Sequence, residues 1–243
     1  MTSLAITTEW IELDVDGAAV RAYVARPEQP GLYPGVVASH EIYGQHPSIL
    51  ATADRLAALG AIVILPDFFH RAEPRATLEF TPEDRERGLA LMRTQTRPGV
   101  LADFASATAE LTRRGAATIH FIGFSAGGHA AYYAATQLPA ASITAFYPGW
   151  LTDTDIQLST PQPTVELSAG IKGRVLLFFG GADALIDAPA RDTIAKSLTA
   201  NAIDHEIVVY EDAPHAFLNP GRPTYREEYA EDAWQRLAEQ LRR

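Results

Sequence analysis

Along this 243-residue chain, two alternating segments come first and unbroken apolar blocks follow. Residues 10–15 and 19–25 alternate apolar and polar side chains, with Asp16-Gly17 between them. A two-residue Asp-Gly link between alternating runs predicts an antiparallel hairpin. Beyond Pro27, Pro30 and Pro34 the pattern changes to short, mostly apolar runs at 35–39, 61–65, 118–122, 142–147, 174–179 and 207–210. The first two read as buried strands of a parallel sheet, and the other four as strands. Helical periodicity fills the intervals at 47–59, 82–92, 100–114, 126–136, 189–198 and 225–241, with Gly60 and Gly115 as stop signals. Residues 68–82 and 150–172 read as loops. A hairpin followed by strand–helix alternation predicts a mostly parallel twisted sheet with helices on both faces, with residues 1–243 forming one α/β domain.

Composition narrows the function. Hydrophobic residues make up 47% and charged residues 21%, as in ordinary globular proteins. The net charge of −10 argues against nucleic acid as a partner, because phosphate binding needs clustered Lys and Arg. It gives no support to an anionic membrane surface either. The chain has no cysteine, which excludes disulfides, thiolate metal sites and a cysteine nucleophile. Residues 1–17 show neither a basic segment nor a long apolar one, so no secretory leader is expected. No run approaches the roughly 18 apolar residues of a membrane-spanning helix. The expected setting is cytoplasmic, and the expected partner is a small molecule met by a monomer, with a dimer left open.

Catalytic chemistry enters at Gly123-Phe124-Ser125-Ala126-Gly127, between the run at 118–122 and the helix at 126–136. G-x-S-x-G at a strand-to-helix turn predicts a sharp corner that pushes a hydroxyl outward. The helix start behind it offers free N–H groups and a dipole that favour developing negative charge. A serine hydroxyl is a poor nucleophile without a base, so a histidine oriented by an acid must follow. Asp183 stands in Gly180-Gly181-Ala182-Asp183 directly after the run at 174–179, and His215 in Ala213-Pro214-His215 after the run at 207–210. Reactive groups of open α/β sheets gather at these carboxyl ends of strands. Asp187 competes with Asp183 for the acid role. His46 and His70 precede the serine, and His120, His129 and His205 lie within or beside secondary-structure elements, so His215 is the expected base.

These residues resemble the dienelactone hydrolase family, a branch of the α/β-hydrolases, over nearly the whole chain after the hairpin. The landmarks are Ser39-His40-Glu41-Ile42-Tyr43-Gly44, Pro66-Asp67-Phe68-Phe69-His70-Arg71, Gly123-Phe124-Ser125-Ala126-Gly127-Gly128, Gly180-Gly181-Ala182-Asp183 and Tyr210-Glu211-Asp212-Ala213-Pro214-His215-Ala216-Phe217. The resemblance implies an α/β-hydrolase fold and an oxyanion hole made by the backbone N–H groups of Ala126 and Ile42. It also implies Glu41 beside the nucleophile and Arg71 as a substrate-carboxylate ligand, with no metal and no organic cofactor. Two departures stand out. The family's nucleophile is cysteine, where this chain has Ser125. Its second arginine, a few residues past the histidine, is replaced by Ala216-Phe217-Leu218-Asn219. The expected activity is a serine hydrolase of small carboxylic esters or lactones. Dienelactone hydrolysis itself, and a non-catalytic ligand-binding homologue, are the alternatives.

Overall fold

The computed structural model describes residues 3–243, and its hairpin is longer than the alternation predicts. Strands β1 (Ile6–Val15) and β2 (Ala18–Pro27) pair antiparallel along their full length. Asp16 and Gly17 both take positive φ, 53° and 83°, the mirror-image turn whose twist matches the two strands. β2 pairs antiparallel with β4 (Ile62–Pro66) and so joins the hairpin to a parallel set. That set comprises β3 (Gly35–Ser39), β4, β5 (Ile119–Phe124), β6 (Ser142–Phe146), β7 (Arg174–Gly180) and β8 (His205–Tyr210). β3, β4 and β6 are buried at every position, which is why they read as unbroken apolar runs.

The eight strands lie in the order β1-β2-β4-β3-β5-β6-β7-β8. From β3 the chain steps outward to β4 on one side, then returns to β5 on the other. The loops after β3 and β5 therefore diverge to opposite faces, and a crevice opens between their carboxyl ends. Across β5 to β8 this end of the sheet rests on a row of rings: Phe124, Phe146, Phe178 and Tyr210. Successive centroids lie 5.0, 4.7 and 6.3 Å apart, and the rings are near parallel.

Helices cover both faces. α1 (Pro47–Ala58) and α6 (Glu227–Gln240) are bridged by Arg55, which pairs with Glu231 at 2.8 Å and lies over the Trp234 ring. α3 (Arg97–Arg113) and α4 (Ala126–Gln137) pack against each other on the opposite face. α2 (Pro82–Arg93) and α5 (Ala188–Ala200) complete the set. α3 begins three residues before the expected 100, because Thr96 caps it by accepting from the Gly99 N–H at 3.3 Å. Pro98 then sits in the first turn, where its missing N–H costs nothing. Residues 150–172 are irregular apart from two 3₁₀ turns, Gln157–Ser159 and Thr164–Gly170. Among the described residues no helix is long and apolar enough to cross a membrane.

Candidate active site

Ser125 sits at the tip of the corner between β5 and α4. Its backbone takes φ 53° and ψ −117°, a conformation that costs a non-glycine residue roughly 1–3 kcal/mol. Its own N–H donates to the Phe146 carbonyl at 2.9 Å, tying the corner to β6. Two glycines make the corner possible. A Cβ on Gly123 would lie 2.1 Å from the Gly127 carbonyl oxygen, and one on Gly127 would lie 2.3 Å from that of Ser39. The corner thus packs directly on the end of β3. The Ser39 hydroxyl strengthens this seam by donating to the Gly127 carbonyl at 2.7 Å.

Three of the predicted side chains meet there. Ser125 Oγ lies 2.9 Å from His215 Nε2, and His215 Nδ1 lies 2.7 Å from Asp183 Oδ2. A carboxylate can only accept, so Nδ1 carries the proton and Nε2 is free to accept the serine hydroxyl proton. The Asp183 side chain is fully shielded, whereas the His215 ring is 19% exposed toward the cavity. The second Asp183 oxygen accepts the Leu185 N–H at 2.8 Å, which fixes the carboxylate plane. Tyr147 packs edge-on against the imidazole, with centroids 4.9 Å apart. Asp187 is occupied elsewhere: it caps α5 by accepting from the Ala190 N–H at 2.8 Å.

Ala126 is the first residue of α4, so its N–H has no partner within the helix. Ile42, in the loop after β3, lines the same cavity as Ser125. Among the described residues no carbonyl accepts the Ile42 N–H. Glu41 also lines the cavity. Its buried carboxylate accepts from the Tyr147 hydroxyl at 3.2 Å and faces Arg222 at 3.5 Å. Burial, reinforced by Glu41, holds the Tyr147 phenol well above its ordinary range, so it stays a donor.

The cavity measures about 420 Å³. Ile42, Leu89, Trp150 and Leu185 give it apolar walls, and Arg85, Arg93 and Arg222 supply cationic groups. Arg71, expected to hold a substrate carboxylate, is not among its lining residues. It turns to α3 instead, where its Nη1 donates to both Asp103 oxygens at 2.9 Å. The cause is the Asp67 carboxylate, which accepts the N–H groups of Phe69 (3.0 Å) and Arg75 (2.6 Å) and curls the intervening loop. Further along the chain, past residues 216–219, an arginine does reach the cavity. Arg222, seven positions past His215, reaches the cavity after a turn through Asn219-Pro220-Gly221. That Pro-Gly turn was the available signal. Arg85 and Arg93 gave none, being two charges among several on a polar helix.

This strand order, with a serine corner after a central strand and the acid and histidine after two later ones, defines an α/β-hydrolase. The sequence profile of the dienelactone hydrolase family matches residues 20–243. A "Putative carboxymethylenebutenolidase" from Synechocystis is 30% identical over 240 residues, covering 96% of this chain and 95% of that protein. One of the same name from Saccharolobus solfataricus is 31% identical, covering 95% of this chain and 96% of its own. A crystal structure titled as a putative dienelactone hydrolase from Klebsiella pneumoniae superposes with a TM-score of 0.89 at 28% identity, covering 98% and 99%. The chain belongs to the dienelactone hydrolase family, and with it to the hydrolases of carboxylic esters and lactones.

Proposed function

We propose that this chain is a serine hydrolase of small carboxylic esters or lactones that works through an acyl-enzyme. The observation that carries the reading is the continuous hydrogen-bond chain Asp183–His215–Ser125, with links of 2.7 and 2.9 Å, opening onto the 420 Å³ cavity. As Ser125 Oγ attacks the carbonyl carbon, His215 Nε2 takes its proton and Asp183 stabilises the imidazolium. The tetrahedral oxyanion is held by the N–H groups of Ala126 and Ile42, worth roughly 3 kcal/mol each. Collapse breaks the ester C–O bond, and the departing alkoxide takes the proton from His215. Water, deprotonated by the same imidazole, then attacks the acyl-serine, releasing the carboxylic acid and restoring the hydroxyl.

The three arginines of the cavity suit a substrate that carries a carboxylate besides the scissile ester. A second reading, dienelactone as the substrate itself, draws on the same arginines and on the family. Turnover of dienelactone compared with neutral aryl esters separates the two. The serine assignment is tested by Ser125→Ala, which should lower kcat for p-nitrophenyl acetate by about 10³-fold or more. A fluorophosphonate probe should label Ser125 in the unaltered protein. Full activity in the variant, or no label on a folded protein, would overturn the reading; the second outcome would favour a non-catalytic receptor.

A further inference from the structure

His40 is buried at the end of β3 and takes no part in the proton transfers above. Its two ring nitrogens are both engaged. Nε2 accepts the backbone N–H of Phe68 at 3.2 Å, so the ring must be the neutral tautomer with its proton on Nδ1. That proton is directed at the Glu41 carbonyl oxygen, with Nδ1 only 2.7 Å away. The Glu41 carbonyl and the Ile42 N–H belong to one peptide group. In a planar trans peptide these two bonds point in opposite directions. Holding the carbonyl inward on the imidazole therefore turns the Ile42 N–H outward, to the side where Ile42 lines the cavity with Ser125.

We propose that His40 is a positioning residue for the oxyanion hole: its Nδ1–H fixes the Glu41–Ile42 peptide so that the Ile42 N–H faces the reacting carbonyl. The assignment rests on the serine-hydrolase reading above. The surroundings agree with a fixed part. The imidazole is packed edge-on by Phe68 and Phe69, with centroids at 5.5 and 4.8 Å. Burial holds its pKa below the ordinary histidine range, against the opposing pull of the Glu41 carbonyl and, less strongly, of Asp67 and Asp103, so the neutral form persists. From the other side, Gly88 of α2 lies so close to the Ile42 carbonyl that a Cβ there would stand 2.1 Å from its oxygen. The loop is thus clamped on both flanks of the donor peptide.

His40→Phe tests this, because phenylalanine keeps the ring packing and removes the donor. Loss of one oxyanion donor typically costs kcat about 10²–10³-fold. The expected result for p-nitrophenyl acetate is a fall in kcat of at least about 100-fold, with KM changed less than about threefold. Affinity for an aryl boronic acid, whose serine adduct places an oxygen in the hole, should fall in parallel. His40→Asn places an amide N–H near the Nδ1 position and should recover at least about tenfold of the lost kcat. A folded His40→Phe protein with kcat within about threefold of the parent would overturn the assignment. So would a rise in KM at unchanged kcat. If the phenylalanine variant does not fold, His40→Asn decides alone: a loss of about 100-fold or more in the folded protein overturns the proposal. Ser125→Ala, assayed beside them, separates the two claims. If it is inactive while His40→Phe is not, only the His40 role falls; if it is fully active, both fall.

Discussion

Asp183 and Asp187 stand four residues apart in one loop with different hydrogen-bond partners, and on the proposed reading mutation separates their duties. In Asp183→Asn, the side chain keeps the shape but has one acceptor where two are needed. It faces two donors, His215 Nδ1–H and the Leu185 N–H, at 2.7 and 2.8 Å. One of them must then meet the amide NH₂, a donor against a donor. Either the imidazole flips tautomer and presents a protonated Nε2 to Ser125, or the loop loses its anchor at Leu185. The charge is lost in addition. At an effective dielectric constant of about 20, a carboxylate about 4 Å from an imidazolium contributes roughly 4 kcal/mol. With the tautomer penalty the barrier should rise by about 4–5.5 kcal/mol, a loss of about 10³–10⁴ in kcat.

Asp187→Ala should do something different. It removes the cap on α5, worth about 1 kcal/mol, which corresponds to a drop in Tm of about 2–4 °C for a chain of this size. Its kcat should stay within about threefold of the parent, since a lost cap touches no reacting group. Steady-state hydrolysis of p-nitrophenyl acetate and a thermal melt on each variant suffice. A folded Asp183→Asn protein retaining more than about a tenth of the activity would refute the reasoning. So would a thousand-fold loss in Asp187→Ala.

The strain at Ser125 predicts that Ser125→Gly melts above Ser125→Ala, by about 1 kcal/mol of stability, because only glycine adopts φ 53° freely; equal Tm values would show the corner to be relaxed. For acid stability, burial lowers the pKa of His120 to about 4 and that of His129 to about 3. Below the ordinary histidine pKa of about 6.5, the unfolded chain binds two protons that the folded chain refuses, so stability falls as pH drops toward 4. The slope contributed is up to about 2.7 kcal/mol per pH unit, and urea unfolding that is flat between pH 7 and 5 would contradict it. Arg222→Met should raise KM for a carboxylate-bearing aryl ester at least about tenfold more than for its neutral counterpart, as loss of a charge-assisted hydrogen bond requires. Equal changes for both esters would remove Arg222 from substrate recognition.

What could be read from the sequence divides along a physical line. Ser125, Asp183 and His215 each follow a strand of the parallel set within a few residues, so backbone topology alone brings them to one edge of the sheet. Short side chains then leave little freedom in where the reactive atom ends up. The same holds for the backbone N–H groups of Ile42 and Ala126, the proposed oxyanion donors. The arginines behave otherwise. A guanidinium lies some six bonds from its backbone, and its direction is decided by whichever carboxylate is nearest in three dimensions. Arg71 stands at the expected strand-end position, yet the turn closed by Asp67 swings it onto Asp103 of α3, a partner 32 residues away that no local pattern reveals. Arg222 reaches the cavity because Pro220 and Gly221 fold the chain back toward β3, where Glu41 faces it. The start of α3 was missed for a related reason: Pro98-Gly99 reads as a break unless Thr96 is seen to cap. Reaction chemistry in this fold is therefore written in strand ends and survives a reading of pattern. The cavity's cationic groups sit on long side chains whose partners lie across the fold, so on the proposed reading binding measurements on the three cavity arginines carry more information about the natural substrate than any further motif.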